Sequence, residues 1–237
     1  MRSKMRVFAA AAVALGWSVA WAYDGGTVSD GGGIRGQAKY QGTAPAAKTI
    51  EITKDKEVCG ATPKRDESLL VGGNGGIENV VVFIKNISRG KPMPNATPTL
   101  DQKGCRYDPH VLLIPAGATI DIRNDDGVLH NIHTYGKANP PTNMAQPKFR
   151  QVIHQRFEQP EIFEVRCDAH GWMQGWFVVQ DNPYYAVTDE NGNFELTDVP
   201  PGDYELEAWQ ETLGTKTQKI TVPAKTEVTA NFEFAGK

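Results

Sequence analysis

Cys167, His170 and Met173 fall in one short run, Cys167-Asp168-Ala169-His170-Gly171-Trp172-Met173, which offers a thiolate, an imidazole and a thioether within a single loop. The strand expected before it, Ile162 to Cys167, puts Phe163, Val165 and Cys167 on one face and Glu164 and Arg166 on the other. Cys167 therefore leaves the strand pointing inward. The loop then returns a His at +3 and a Met at +6 toward the same point, before a strand that begins at Trp176. A second imidazole follows another strand end: Thr119 to Arg123 runs into Asn124-Asp125-Asp126-Gly127-Val128-Leu129-His130-Asn131. One Cys, two His and a weak axial Met form the soft, mixed donor set that suits copper cycling between two oxidation states. Zinc more usually recruits additional Cys or His. Neither half decides alone, since Cys-x-x-His arises by chance and a lone His is more often structural; the joint pattern is far more specific.

The remaining candidates read as structural. His133 stands three positions after His130, so on an extended strand the two rings face opposite ways. It is read as a surface residue or a neighbour of the ligands, with a role as alternative imidazole ligand left open. His110 and His154 are read as structural. Asp125 and Asp126 resemble a carboxylate pair for acid–base work, but no nucleophile or cleft signature accompanies them, and a solvated loop is the better reading. Cys167 and His170 as nucleophile and base would need a geometry that a tight three-residue offset rarely permits, and would leave Met173 without a role. No catalytic residues emerge, which favours a non-enzyme. The run Asp189-Glu190-Asn191-Gly192-Asn193 is no calcium loop, because Phe194 stands where Gly is needed and Pro200 where Glu is needed. Gly72 to Gly76 lacks the Gly-Lys-Ser/Thr ending of a phosphate loop.

The elements that position these residues belong to an exported chain. Arg2, Lys4 and Arg6 precede an apolar run from Val7 to Ala20, and Ala20-Trp21-Ala22 supplies a cleavage signal, so residues 1–22 read as a signal peptide. Removing its three basic residues takes the formal net charge from -3 to -6. That balance excludes nucleic acid as a partner. No later segment reaches the ~20 apolar residues that cross a bilayer, and no Cys stands at the cleavage point to take a lipid. The expected location is periplasmic or secreted. In an oxidising compartment the odd count of three Cys is informative. Cys59 and Cys105 lie in polar, loop-like contexts and are expected to pair, leaving Cys167 free. The alternatives are a bond from either one to Cys167, or Cys167 as a merely buried thiol.

Period-two alternation recurs throughout and no sustained helical periodicity follows the signal, so the chain reads as all-β. Strands are expected at Ile34 to Tyr40, Val80 to Ile84, Val111 to Ile114, Thr119 to Arg123, Ile162 to Cys167 and Trp176 to Val179. After Gln180 the texture changes to compact hairpins. Thr188-Asp189-Glu190-Asn191-Gly192-Asn193-Phe194 and Val199-Pro200-Pro201-Gly202-Asp203-Tyr204 resemble the carboxypeptidase regulatory-like domain. That resemblance implies a small prealbumin-like β-sandwich acting as a binding or spacer module, to whose sheet the strand at Gly33 to Tyr40 could add. The organisation read from sequence is a signal peptide over 1–22, a copper-binding domain with an N-terminal extension over 23–180, and the regulatory-like domain over 181–237.

The run Cys167 to Met173, with Asn124 to Asn131, resembles the blue copper proteins, or cupredoxins, of the plastocyanin-like kind; the loop is most similar to the short ligand loop of the amicyanins. The resemblance implies a Greek-key sandwich over roughly Val80 to Gln180, one copper ion, Cys167, His170 and Met173 as ligands, and His130 as the remote one. Asn131 would bond across to the ligand loop and hold it rigid. It further implies that His170 is the ligand nearest the surface, and that Trp172 and Trp176 form an apolar docking patch for a redox partner, with core packing as the alternative for both. The implied function is one-electron transfer. Two rivals stand beside it: an exported β-rich binding or structural protein, contacting carbohydrate or a cell surface through the C-terminal domain, with a vestigial or copper-sequestering site; and a catalytic variant in which His133 or water replaces Met173.

Overall fold

Alternating residues make strands, and strands with one apolar face must bury it against another sheet. The computed structural model, which describes residues 23–236, is built on that rule as an all-β molecule of two sandwiches. The signal peptide expected over residues 1–22 lies outside the described residues.

The central sandwich holds the candidate metal ligands. One sheet orders Val152–Arg156, Thr119–Asn124, Thr99–Gln102 and Tyr107–Asp108; the other orders Asn143–Gln146, His130–Thr134, Glu161–Arg166, Gln174–Gln180 and Val111–Pro115. The chain passes repeatedly from one sheet to the other, so consecutive strands are often not neighbours. Ile120 and Ile122 from the first sheet meet Ile132, Phe163, Val165 and Phe177 from the second in one core. Phe157, Phe163 and Phe177 pack with ring centroids 5.2–5.7 Å apart, at the tilted or edge-to-face angles aromatic quadrupoles prefer.

The second sandwich joins both ends of the described residues. Gly32–Gln41 pairs with Asn193–Val199 on one side and with Glu227–Thr229 and Phe232–Ala235 on the other. Gly36 permits this close approach: a Cβ there would lie 1.5 Å from the Ala230 carbonyl oxygen. Val81–Lys85, read from sequence at the start of the cupredoxin-like stretch, pairs instead with Tyr185–Val187 and Gly202–Gln210. Its composition explains the placement, because it is apolar on both faces. Val82 and Ile84 enter the core of this second sandwich, while Val81 packs on Val111 and Val178 of the central one. Trp176 and Trp209 meet edge to face at 4.8 Å across the same joint. Among the described residues, the one element outside the β pattern is the short helix Lys56–Cys59, whose four residues are too few to show a helical period.

Candidate metal centre

The strand His130–Thr134 pairs with Glu161–Arg166 only through His133 and Thr134, so His130 and Asn131 extend beyond that ladder. There the loop after Arg166 takes over. The Asp168 and Ala169 backbone N–H groups donate to Asn131 Oδ1 at 2.5 and 3.3 Å, so a side chain continues the pairing where the strand ends. Within the loop, Cys167 N–H donates to Met173 O at 3.2 Å and Met173 N–H to His170 O at 2.9 Å. The loop is thus folded back on itself, and Cys167, His170 and Met173 are all at most 1% exposed.

These constraints bring three donor atoms together. His130 Nδ1 and His170 Nδ1 are 3.0 Å apart, and Cys167 Sγ lies 3.9 and 3.8 Å from them. One point in the plane of these atoms lies about 2.1 Å from all three, close to the length of a metal–imidazole bond. The outer nitrogen of each ring is held by a carboxylate: His130 Nε2 by Asp126 Oδ2 at 2.9 Å and His170 Nε2 by Asp55 Oδ2 at 2.7 Å. An ionised carboxylate only accepts, so each Nε2 carries a hydrogen and a neutral ring turns an Nδ1 lone pair inward. Two lone pairs 3.0 Å apart repel unless a cation, either a proton or a metal ion, lies with them.

The electrostatics follow from these partners. Burial lowers the pKa of His130, but Asp126 and the Cys167 sulfur more than reverse it, and the net direction is up. Burial also lowers His170; the nearby His130 adds to that effect, Asp55 only partly offsets it, and the ring favours its neutral form. The Cys167 thiol is raised by burial and lowered more by hydrogen bonds from His130 and from backbone at Asn131 and His170, so it ionises more readily than a free cysteine. Asp126 is held below the usual carboxylate range: burial opposes ionisation, but His130 and the Cys105 and Gly104 N–H groups outweigh it. Those two N–H groups, at 2.6 and 2.5 Å, come from consecutive left-handed residues, Gly104 at φ 64 and Cys105 at φ 52, which aim both at one anion.

The comparisons with known proteins fall on both sandwiches. Residues 178–235 match the carboxypeptidase regulatory-like domain. No curated protein matches the chain. Among solved structures, the chain is similar to a Cu-containing nitrite reductase from Thermus scotoductus SA-01, with 22% identity over 38% of this chain and 24% of that one, TM-score 0.33. The alignment therefore spans about a quarter of the nitrite reductase chain. A novel purple cupredoxin from Nitrosopumilus maritimus aligns at 23% identity over 35% of this chain and 98% of its own, TM-score 0.30. A methionine-to-alanine variant of amicyanin in its Cu(I) form aligns at 18% identity over 42% of this chain and 98% of its own, TM-score 0.32.

Of the residues named from sequence, the structure brings the donor atoms of His130, Cys167 and His170 together, bonds Asn131 to the loop, and buries Met173 at the loop's end. Cys59 and Cys105 form a disulfide, and Cys167 is the free cysteine among the described residues. One expectation is corrected. Asp126 is no solvated loop residue, since its side chain is 7% exposed and holds His130. His170 is 0% exposed and is covered by Asp55 of the N-terminal extension. Asp126 had a signal in its i,i+4 spacing from His130, whereas Asp55 stands 115 positions from its partner and had none. His133 bonds Asp168 at 3.0 Å and stacks on Tyr135. His154 is tied to Asp121 at the surface, and His110 is buried against Glu211. Trp172 is half-buried, donates Nε1–H to Cys105 O at 3.1 Å and sits 5.0 Å from the His170 ring. Trp176 belongs to the joint between sandwiches.

Proposed function

We propose that this chain is an exported copper protein that carries single electrons between redox partners. His130, Cys167 and His170 would hold one copper ion, with Met173 as a weak further donor. The observation that carries the reading is the convergence of two inward-turned Nδ1 atoms and one cysteine sulfur on a buried point, with both outer nitrogens occupied by carboxylates. Copper there would supply a one-electron couple. The chain's own residues supply rigidity: Asp126 and Asp55 fix the rings, Asn131 fixes the loop backbone, and burial keeps water away.

Such a ligand shell leaves no open position for substrate, which supports a carrier rather than an enzyme. Trp172, beside His170 and lining a cleft of about 990 Å³, is the aromatic surface offered to a redox partner. The signal read over residues 1–22 supports a periplasmic or secreted location. No described helix is long and apolar enough to cross a membrane.

Titration of the purified exported chain with Cu(II) tests the reading. One equivalent should give intense thiolate-to-copper absorption, and Cys167→Ala should abolish it. Bound Cu(II) without colour, or colour surviving in Cys167→Ala, would defeat the assignment.

A further inference from the structure

The groups against the outer edge of His170 come from a segment remote in sequence. Asp55 Oδ2 bonds His170 Nε2 at 2.7 Å, and Lys54 Nζ donates to Ala169 O at 3.3 Å on the same loop. Asp55 keeps 36% side-chain exposure while the ring beneath it has none. This carboxylate therefore separates the imidazole from solvent on that side. Asp55 adopts φ 46, ψ 45, a left-handed conformation that few non-glycine residues take, and its carbonyl accepts from Val58 and Cys59 N–H at 3.0 and 2.8 Å. Cys59, at the end of that turn, is bonded to Cys105. Cys105 N–H in turn holds Asp126, the carboxylate on His130. One covalent bridge thus links the supports of both imidazoles.

We propose that Asp55 is a positioning and capping residue. Its carboxylate fixes the His170 ring with Nδ1 turned inward, and the Lys54–Cys59 segment, pinned by the disulfide, closes the His170 edge to solvent and to partners. The inference rests on the reading of His170 as a copper ligand. It gives the N-terminal extension a role at the site: contact at the His170 edge requires the cap to lift, and the disulfide keeps it down.

Residue-resolved acylation by diethyl pyrocarbonate, read by peptide mass spectrometry on the metal-free exported chain, tests this without relying on copper. His154, whose side chain is 66% exposed, is the internal standard for a free imidazole. In Asp55→Ala, His170 should react roughly tenfold faster or more, the factor expected for losing one charge-assisted hydrogen bond, while His130 and His110 keep their parental rates. Asp55→Asn, whose amide oxygen accepts the same bond, should stay near the parental rate. A Cys59→Ser/Cys105→Ser chain should also expose His170; if it fails to fold, Asp55→Ala decides alone. The proposal is overturned if His170 reacts no faster in Asp55→Ala, if it already matches His154 in the parent, or if His130 and His110 speed up equally, which would mean general loosening. Cu(II) titration of the same samples separates the two readings. A His170-selective change without coloured copper keeps the cap and removes the copper assignment; coloured copper with unchanged His170 reactivity does the reverse.

Discussion

Asn131 acts on the ligand loop as a rung of sheet would, accepting from two consecutive backbone N–H groups while its own amide donates to Asn143. Asn131→Ala leaves both loop N–H groups without that acceptor, and should cost about 1–3 kcal/mol in denaturant unfolding. An unchanged midpoint would show that water replaces the side chain freely. Met173 is expected to tune the site rather than hold it. Met173→Leu should keep copper bound through the stronger donors and raise the reduction potential, because a donor that favours Cu(II) has gone. Voltammetry with metal analysis checks both parts; copper loss would make Met173 an essential ligand. Cys167, His170 and Met173 were legible because a strand's period and a seven-residue loop are local, whereas the roles of His130 and Asn131 were implied by the resemblance of Asn124 to Asn131 to the cupredoxin pattern. Asp55 was not legible, because no local rule relates an aspartate to an imidazole 115 positions away along the chain.

At the scale of elements, the Cys59–Cys105 bridge closes a separation of 46 residues. The chain-entropy account gives such a loop about 4 kcal/mol of stabilisation. The Cys59→Ser/Cys105→Ser chain should show that loss as a lower denaturant midpoint, and a change under 1 kcal/mol would mean the unfolded chain is scarcely constrained by the bridge. The pairing was readable from compartment and context, since an odd thiol near two histidines had another employment. Which strands neighbour which was not readable. Alternation marks Gly32–Gln41 as a strand and an apolar run marks Val81–Lys85, yet either pattern fits any sheet edge of matching face. Their partners, more than 100 residues distant, follow from the close approach at Gly36 and the double burial of Val81–Lys85.

At the scale of the whole molecule, the two sandwiches meet through an apolar patch and a buried ion pair. His110, from the central sandwich, bonds Glu211 of the second, both side chains being 5% exposed, and Gln174 Nε2 donates to the other Glu211 oxygen at 2.9 Å. Burial lowers the His110 pKa, but Glu211 outweighs it, by direct bond and by charge, and the folded value lies above the ordinary one. A group whose pKa rises on folding binds its proton more tightly in the folded state. Its stabilisation is therefore complete below the unfolded pKa, about 6.5, and fades as pH rises through the raised folded value. Glu211→Gln should thus cost roughly 2 kcal/mol near pH 5.5 and progressively less above neutrality, measured as the parental-minus-variant difference in unfolding free energy. The difference matters because other groups titrate in both chains and cancel. A difference that stayed flat from pH 5.5 to 9 would mean that His110 remains neutral in the joint and contributes there only as an uncharged hydrogen-bond partner of Glu211.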